Sequence, residues 1–434
     1  MVVLDLLAVS TALTSMRRSL GASISGLEWT VNAYTLSFAV LMLTCAALGD
    51  RFGRRLIFAL GLSLFAIGSA ACALSTGLFM LVAARVLQGA GAAAVMPLGI
   101  ALLNAAYPPR LRGRAIGLFG GITALATIVG PIVGGVITQD LTWRWIFWVN
   151  VPLAFVAVPL AFTRLTESRA REAGLDPVGV VLAGLGVLGL VWGLVSGGAA
   201  GWSSAQVLGA LVAGAVLLVT FVFWERRADT PMLPPRLLRS RGLSAGSFAT
   251  FCVNGALTGA LFFCAQFLQT AQVHGPIGAG VRLLPWGLVP TVVGVQSGRL
   301  IERFGERLLV LVGALFEAAG LGWLAAVASP TVGFPALGLG FAVTGFGIAL
   351  AVPASTKAAT SSVAAADLGK AASTFSTLRQ LGAAFGVAIL AAAFATDGGY
   401  GSAHAYALGF TRAMLTGALL ALAAFLAGLA MPRG

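Results

Sequence analysis

Apolar residues fill the chain in long, nearly uninterrupted blocks separated by short polar loops. The blocks lie at roughly 1–16, 29–48, 56–75, 78–102, 115–138 and 146–163, then at 178–197 and 206–224, and then at 244–271, 281–300, 307–328, 333–353, 370–396 and 408–430. A helix that crosses a bilayer needs about 20 apolar residues, so the pattern predicts fourteen transmembrane helices. The first block is short, with room for about 24 Å of helix, and it begins at Met1 without a charged flank. The natural protein is therefore expected to extend upstream of Met1. A cleavable signal peptide fits poorly, because the positive leading region is missing and Arg17 and Arg18 follow the apolar stretch.

Composition strengthens this picture. Of 434 residues, 59% are hydrophobic and 9% charged, where a soluble domain carries about 25% charged. Mean hydropathy is +0.96. The 57 glycines suit helices that pack closely in lipid. A soluble enzyme, a disordered chain and a secreted disulfide scaffold are excluded, which leaves an all-α polytopic membrane protein. The net charge of +13 is scattered in small groups, without a basic block interleaved with aromatics, so nucleic acid is not an expected partner. Cys45, Cys72, Cys252 and Cys264 all lie in apolar stretches without metal-ligand spacing and read as small buried hydrophobes, with no metal site.

The basic residues orient the chain. With a cytoplasmic N-terminus, twenty of the 27 fall on the inner side, five on the outer (Arg17, Arg18, Arg144, Arg282 and Arg412), and Arg85 and Arg379 inside spans. Both termini are accordingly expected in the cytoplasm. Trp29, Trp143, Trp145, Trp148 and Trp202 then gather at the outer interface, where amphipathic rings are favoured.

An internal repeat divides the chain. Asp50-Arg51-Phe52-Gly53-Arg54-Arg55 aligns with Glu302-Arg303-Phe304-Gly305-Glu306-Arg307, and Gly89-x-Gly91-x5-Pro97 recurs as Gly345-x-Gly347-x5-Pro353. The expected organisation is a six-helix half over 1–163, linkers and two inserted helices over 164–243, and a second six-helix half over 244–434. Parallel halves with a site between them describe one plan of secondary transporter. The inserted helices have no repeat partner and are expected to be dispensable to the core.

The same residues carry a family resemblance. Asp50-Arg51-Phe52-Gly53-Arg54-Arg55 resembles the signature loop of the major facilitator superfamily, and Arg85-x-x-Gln88-Gly89-x-Gly91 its fourth-helix motif. Ala126-x-x-x-Gly130-Pro131-x-x-Gly134-Gly135 resembles the fifth-helix motif of its antiporters. Leu4-Asp5 in the first span, and Trp143-Arg144-Trp145-Ile146-Phe147 followed by Asn150-Val151-Pro152, resemble the fourteen-helix drug:proton antiporters in particular. Ala46 and Ala126 stand where that family usually has Gly, and Ser10 and Thr14 where it has Asn and Pro after the aspartate.

The resemblance implies a major facilitator fold and roles for these residues. Asp50, Arg51, Gly53 and Arg54, with Glu302 and Arg303 in the repeat, would form a cytoplasmic latch between halves; a plain positive-inside anchor is the bland alternative. Gly130, Pro131, Gly134 and Gly135 would form a hinge and seal by close helix contact and a lost backbone donor. Arg85 would be a coupling residue near the proton path. Asp5 and Glu317 are read as the only carboxylates well inside spans; a carboxyl in low dielectric is costly to keep charged and suits proton carriage. Tyr34, Gln88, Asn254, Gln266, Gln269 and Arg379 are candidate cavity-lining groups, with interhelical hydrogen bonds as the alternative. His274 and His404 fall in outer loops and read as surface groups.

No Gly-Lys-Ser or Gly-Lys-Thr sequence occurs, so a nucleotide is not an expected partner. The leading expectation is a non-enzymatic, monomeric exporter of amphipathic small molecules, cationic ones included, driven by the proton gradient without a cofactor. Export of one endogenous metabolite or antibiotic is an alternative on the same fold. A non-transporting sensor or scaffold is the alternative of another class, disfavoured by the embedded charges of Asp5 and Arg85.

Overall fold

A computed structural model of the chain describes residues 1–22, 24–107, 126, 129–130, 133–167, 176–228, 231, 236–363 and 368–432. Among these residues the protein is helical throughout, without a strand. Among the described residues eleven helices are long and apolar enough to cross a membrane, or twelve if the bent second helix is one span. The expected first span is a continuous helix, α1 (Val2–Leu20), that carries Asp5, Arg17 and Arg18. Most of the expected fifth span lies outside the described residues, although 133–140 is helical.

The chain divides into two compact units. One comprises Met1–Leu190 with Val212–Pro234, and the other Val191–Leu211 with Pro235–Gly434. The first unit contains α1, α2 (Ile24–Phe52), α3 (Arg54–Ala73), α4 (Leu78–Ala106), the single turn α5 (Trp145–Trp148) and α6 (Asn150–Arg164). The helices α7 (Pro177–Ala200) and α8 (Ala205–Glu225) correspond to the two inserted spans and are divided between the units. The second unit contains α9 (Arg241–Thr270), α10 (Pro276–Arg282), α11 (Leu284–Phe304), α12 (Glu306–Ala326), α13 (Phe334–Ser361), α14 (Leu368–Asp397) and α15 (Ala403–Leu429).

The sequence repeat is a structural one. Gly53 and Gly305 each separate two helices by a single residue, with φ of 123° and 78°, values that residues with a side chain resist. Pro97 and Pro353 lie inside α4 and α13. A Cβ on Gly91 would strike the backbone of Gly61 and Phe65 in α3, and one on Gly347 the backbone of Gly313 and Glu317 in α12. Glycine thus lets the corresponding helix pairs touch backbone to backbone, which supplies the dispersion contacts that hold helices together in lipid. By this register Glu317 corresponds to Phe65.

Candidate functional site

The fourth-helix motif explains itself once α4 is packed. Arg85 and Gln88, three residues apart, share a face. A Cβ on Gly89 would meet the carbonyl oxygen of Tyr34, so α2 can approach, and one on Gly68 would come within 2.6 Å of the Gln88 nitrogen, so α3 can approach. Arg85 and Gln88 are thereby enclosed, and both are 0% exposed.

Asp5 meets them there, also 0% exposed. Arg85 Nη1 donates to Asp5 Oδ2 at 2.6 Å. Asp5 Oδ1 accepts from Gln88 Nε2 at 2.9 Å and from Asn150 Nδ2 at 3.0 Å. Arg85 Nε donates to the carbonyl oxygen of Thr30 at 2.9 Å, and Nη1 also to Gln88 Oε1 at 2.6 Å. Gln88 Nε2 reaches Ser69 Oγ at 2.7 Å. The guanidinium carbon stands 4.2 Å from the centre of the Tyr34 ring and 5.8 Å from that of Phe147. Residues from α1 to α6 therefore surround one ion pair. Desolvating two charges costs several kcal/mol per ion, offset only when the remaining polar atoms are bonded; here each charge has several partners, and the ring faces add cation–π attraction. Arg85 Nη2, Asn150 Oδ1 and Tyr34 Oη are buried without a hydrogen-bond partner.

The expected hinge segment bears on the same helix. Gly130, Gly134 and Gly135 are buried, and Pro131 lies outside the described residues. A Cβ on Gly134 would strike Thr11 Oγ1 and come within 2.7 Å of the Ala8 carbonyl oxygen, one turn beyond Asp5.

The loop around Gly53 forms its charge pairs within the first unit. Asp50 Oδ1 accepts from Arg54 Nε at 2.7 Å across Gly53. Arg51 is exposed and lies over its neighbour Phe52. In the second unit Glu302 and Arg303 are exposed, Arg303 lies over Phe304, and it is Glu306 that pairs with Lys357, at 3.5 Å.

Of the candidates expected to line a cavity, Tyr34 and Gln88 belong to the ion pair's enclosure; the others do not join the Asp5 cluster. Asn254 Nδ2 donates to the backbone oxygen of Arg379 at 2.8 Å, an interhelical tie between α9 and α14. Gln266 donates to the Phe262 carbonyl at 3.2 Å and accepts from the Tyr400 hydroxyl. Gln269 is 6% exposed. Glu317 is fully buried on α12, and neither carboxyl oxygen has a partner. Asp5 and Glu317 are not the only enclosed carboxylates: Glu28, Asp176 and Glu225, each at or near a helix end as expected, are also buried. Asp176, for example, accepts from the Gly179 nitrogen and from Trp224 Nε1.

Sequence reasoning passed over Asn150 as a ligand of Asp5, though its motif stood out, and it missed Thr30, Ser69 and Glu167. Asn150 carried a signal, an amide opening an apolar helix; the backbone oxygen of Thr30 carried none.

A polytopic helical protein whose glycine-and-proline helix motif occurs in both compact units, with a buried ion pair in the first, has the make-up of a membrane transporter. The Major Facilitator Superfamily description matches residues 1–179. The chain is 35% identical over 392 residues to the tetracenomycin C resistance and export protein of Streptomyces glaucescens, covering 90% of this chain and 73% of that one. It is 34% identical over 398 residues to the multidrug resistance protein Stp of Mycobacterium tuberculosis, covering 91% and 74%. The solved structure of a POT peptide transporter in complex with sulfate shares the fold, with a TM-score of 0.70 at 16% identity over 99% of this chain and 93% of that one. The chain belongs to the major facilitator superfamily and is a multi-pass membrane protein.

Proposed function

We propose that the chain is a proton-driven secondary exporter that moves amphipathic drugs or toxic small molecules, cationic ones included, out across the cytoplasmic membrane by alternating access. The Asp5–Arg85 pair carries the reading. Intramembrane charges are expensive, and apolar residues of similar volume would pack as well or better, so a pair kept there is best explained by a use. A proton on Asp5 cancels the carboxylate's charge, so the bond from Arg85 to Asp5 becomes one to a neutral group beside its contacts with Thr30, Gln88 and the Tyr34 ring. The bond from α1 to α4 weakens, and α1 is also the helix on which Gly134 bears. Loosening α1 would link the proton to the rocking of halves that alternating access requires. The proton gradient is the energy source, and no cofactor or nucleotide enters. The basic-residue distribution supports a cytoplasmic side for both termini, and the chain works as a monomer.

The named activities of the two relatives support drug export. The tetracenomycin C exporter favours a second reading, a dedicated exporter of one antibiotic or metabolite. Purified protein in proteoliposomes, with a pH-sensitive dye and a compound panel that includes tetracenomycin C, tests both. Compound-induced proton movement is expected from wild type and from Glu317→Gln, and none from Asp5→Asn. Wild-type-like movement from Asp5→Asn would overturn the assignment.

A further inference from the structure

We propose that Asn150 is the positioning residue that accommodates both protonation states of Asp5, donating to the carboxylate and, with its amide turned over, accepting from the carboxylic acid. The inference rests on the proposed role of Asp5 as the proton carrier.

Asn150 is the first residue of α6, and its place is set by the turn before it. Arg144 Nη2 donates to the Ser75 carbonyl beyond the end of α3 at 3.0 Å, and Phe147 is 0% exposed, in edge contact with Trp143. That anchoring delivers Asn150 Nδ2 to Asp5 Oδ1 from a position 145 residues away in sequence.

The two amides on Asp5 Oδ1 differ in which of their atoms are already bonded. An amide offers a donor group and an acceptor oxygen, whereas an ionised carboxylate only accepts and a carboxylic acid also donates. The oxygen of Gln88 is occupied by Arg85 Nη1 at 2.6 Å and approached by the Cys72 thiol at 3.9 Å. Its nitrogen is shared between Asp5 and Ser69. Asn150 Oδ1 is buried with no partner. When a proton from solvent binds Oδ1 of Asp5, the new O–H needs an acceptor, and a half-turn of the Asn150 amide supplies one. One amide atom of Asn150 lacks a partner before the turn and one lacks it afterwards, so the swap adds no unsatisfied buried group. Oδ2 keeps its bond from Arg85, now to a neutral group. The titratable and charged groups facing Asp5 are Arg85 from α4, Tyr34 from α2 and Cys72 from α3; none of the three is an amide that can exchange a donor for an acceptor by turning over.

Infrared difference spectroscopy of the full chain in liposomes, acid minus neutral, reads the acid directly. The expected result is a carboxylic-acid C=O band that is absent from Asp5→Asn and lies at the frequency of an acid that donates a hydrogen bond. In Asn150→Leu the band persists but moves to higher wavenumber. A wild-type Asp5 band already at the unbonded position overturns the inference without any Asn150 variant. So does an Asn150→Leu band that stays in place. If Asp5→Asn removes no band, the proton-carrier reading itself fails and takes this inference with it.

Discussion

The carboxylate of Glu167 occupies the space a side chain on Gly53 would need. A Cβ there would lie 2.7 Å from Glu167 Cδ. From this position the carboxylate accepts from the backbone nitrogens of Arg55 at 3.0 Å and Leu56 at 3.3 Å, and so caps the start of α3. In return Arg55 Nη1 donates to the carbonyl oxygens of Phe162 and Leu165 at the end of α6. An anion sits at a helix N-terminus and a cation at a C-terminus, both matched to the helix dipoles. The glycine of the signature loop thus serves a tie within the first unit.

Gly53→Ala is expected to destabilise the protein more than Glu167→Gln, because it both displaces the cap and forces a side chain into a positive φ. Loss of a cap alone costs about 0.5–2 kcal/mol. Thermal unfolding in detergent, followed by tryptophan fluorescence, checks this. A Gly53→Ala protein as stable as wild type would show that Glu167 does not need the space.

Breaking the buried pair from its basic side should be costly. Arg85→Leu leaves Asp5 buried without its counter-ion, a change worth about 3–5 kcal/mol. Asp5→Asn should cost less, since the amide oxygen still accepts. The double variant is expected to regain stability over Arg85→Leu alone. Equal melting temperatures for Arg85→Leu and the double variant would mean that the two side chains are not coupled.

Gly134→Val is expected to lower both stability and coupled export, because the added carbons collide with Ala8 and Thr11 next to Asp5. Gly294→Ala is the control: a Cβ there meets nothing within 4 Å, and alanine is the better helix former by about 1 kcal/mol. Comparable losses from the two variants would count against a specific contact at Gly134.

Glu317→Leu should hold or raise the melting temperature. Both oxygens of that carboxyl are buried without a partner, so an apolar side chain of similar size removes an unsatisfied group. A drop of several degrees would reveal a partner that the carboxyl needs.

Much of this protein was legible in one dimension. The spans follow from runs of apolar residues, because a helix is the local solution for backbone hydrogen bonding in lipid. The repeat followed from two matching motifs, and the shared face of Arg85 and Gln88 from a three-residue spacing. Asp5 and Arg85 stood out separately, as charges in apolar surroundings.

What no local period contains is which polar group meets which. Asn150 reaches Asp5 across 145 residues and Glu167 reaches Arg55 across 112, through the packing of helices whose order in space the sequence does not write. Asn254 and Gln266 had the polarity of cavity residues, yet packing turned them toward a backbone oxygen and a tyrosine. Polarity and spacing are properties of a segment, so the sequence by itself determined the helices and the residues worth asking about. A hydrogen bond between distant segments exists only once close glycine contacts have fixed the helix axes, and tertiary structure alone decided those partners.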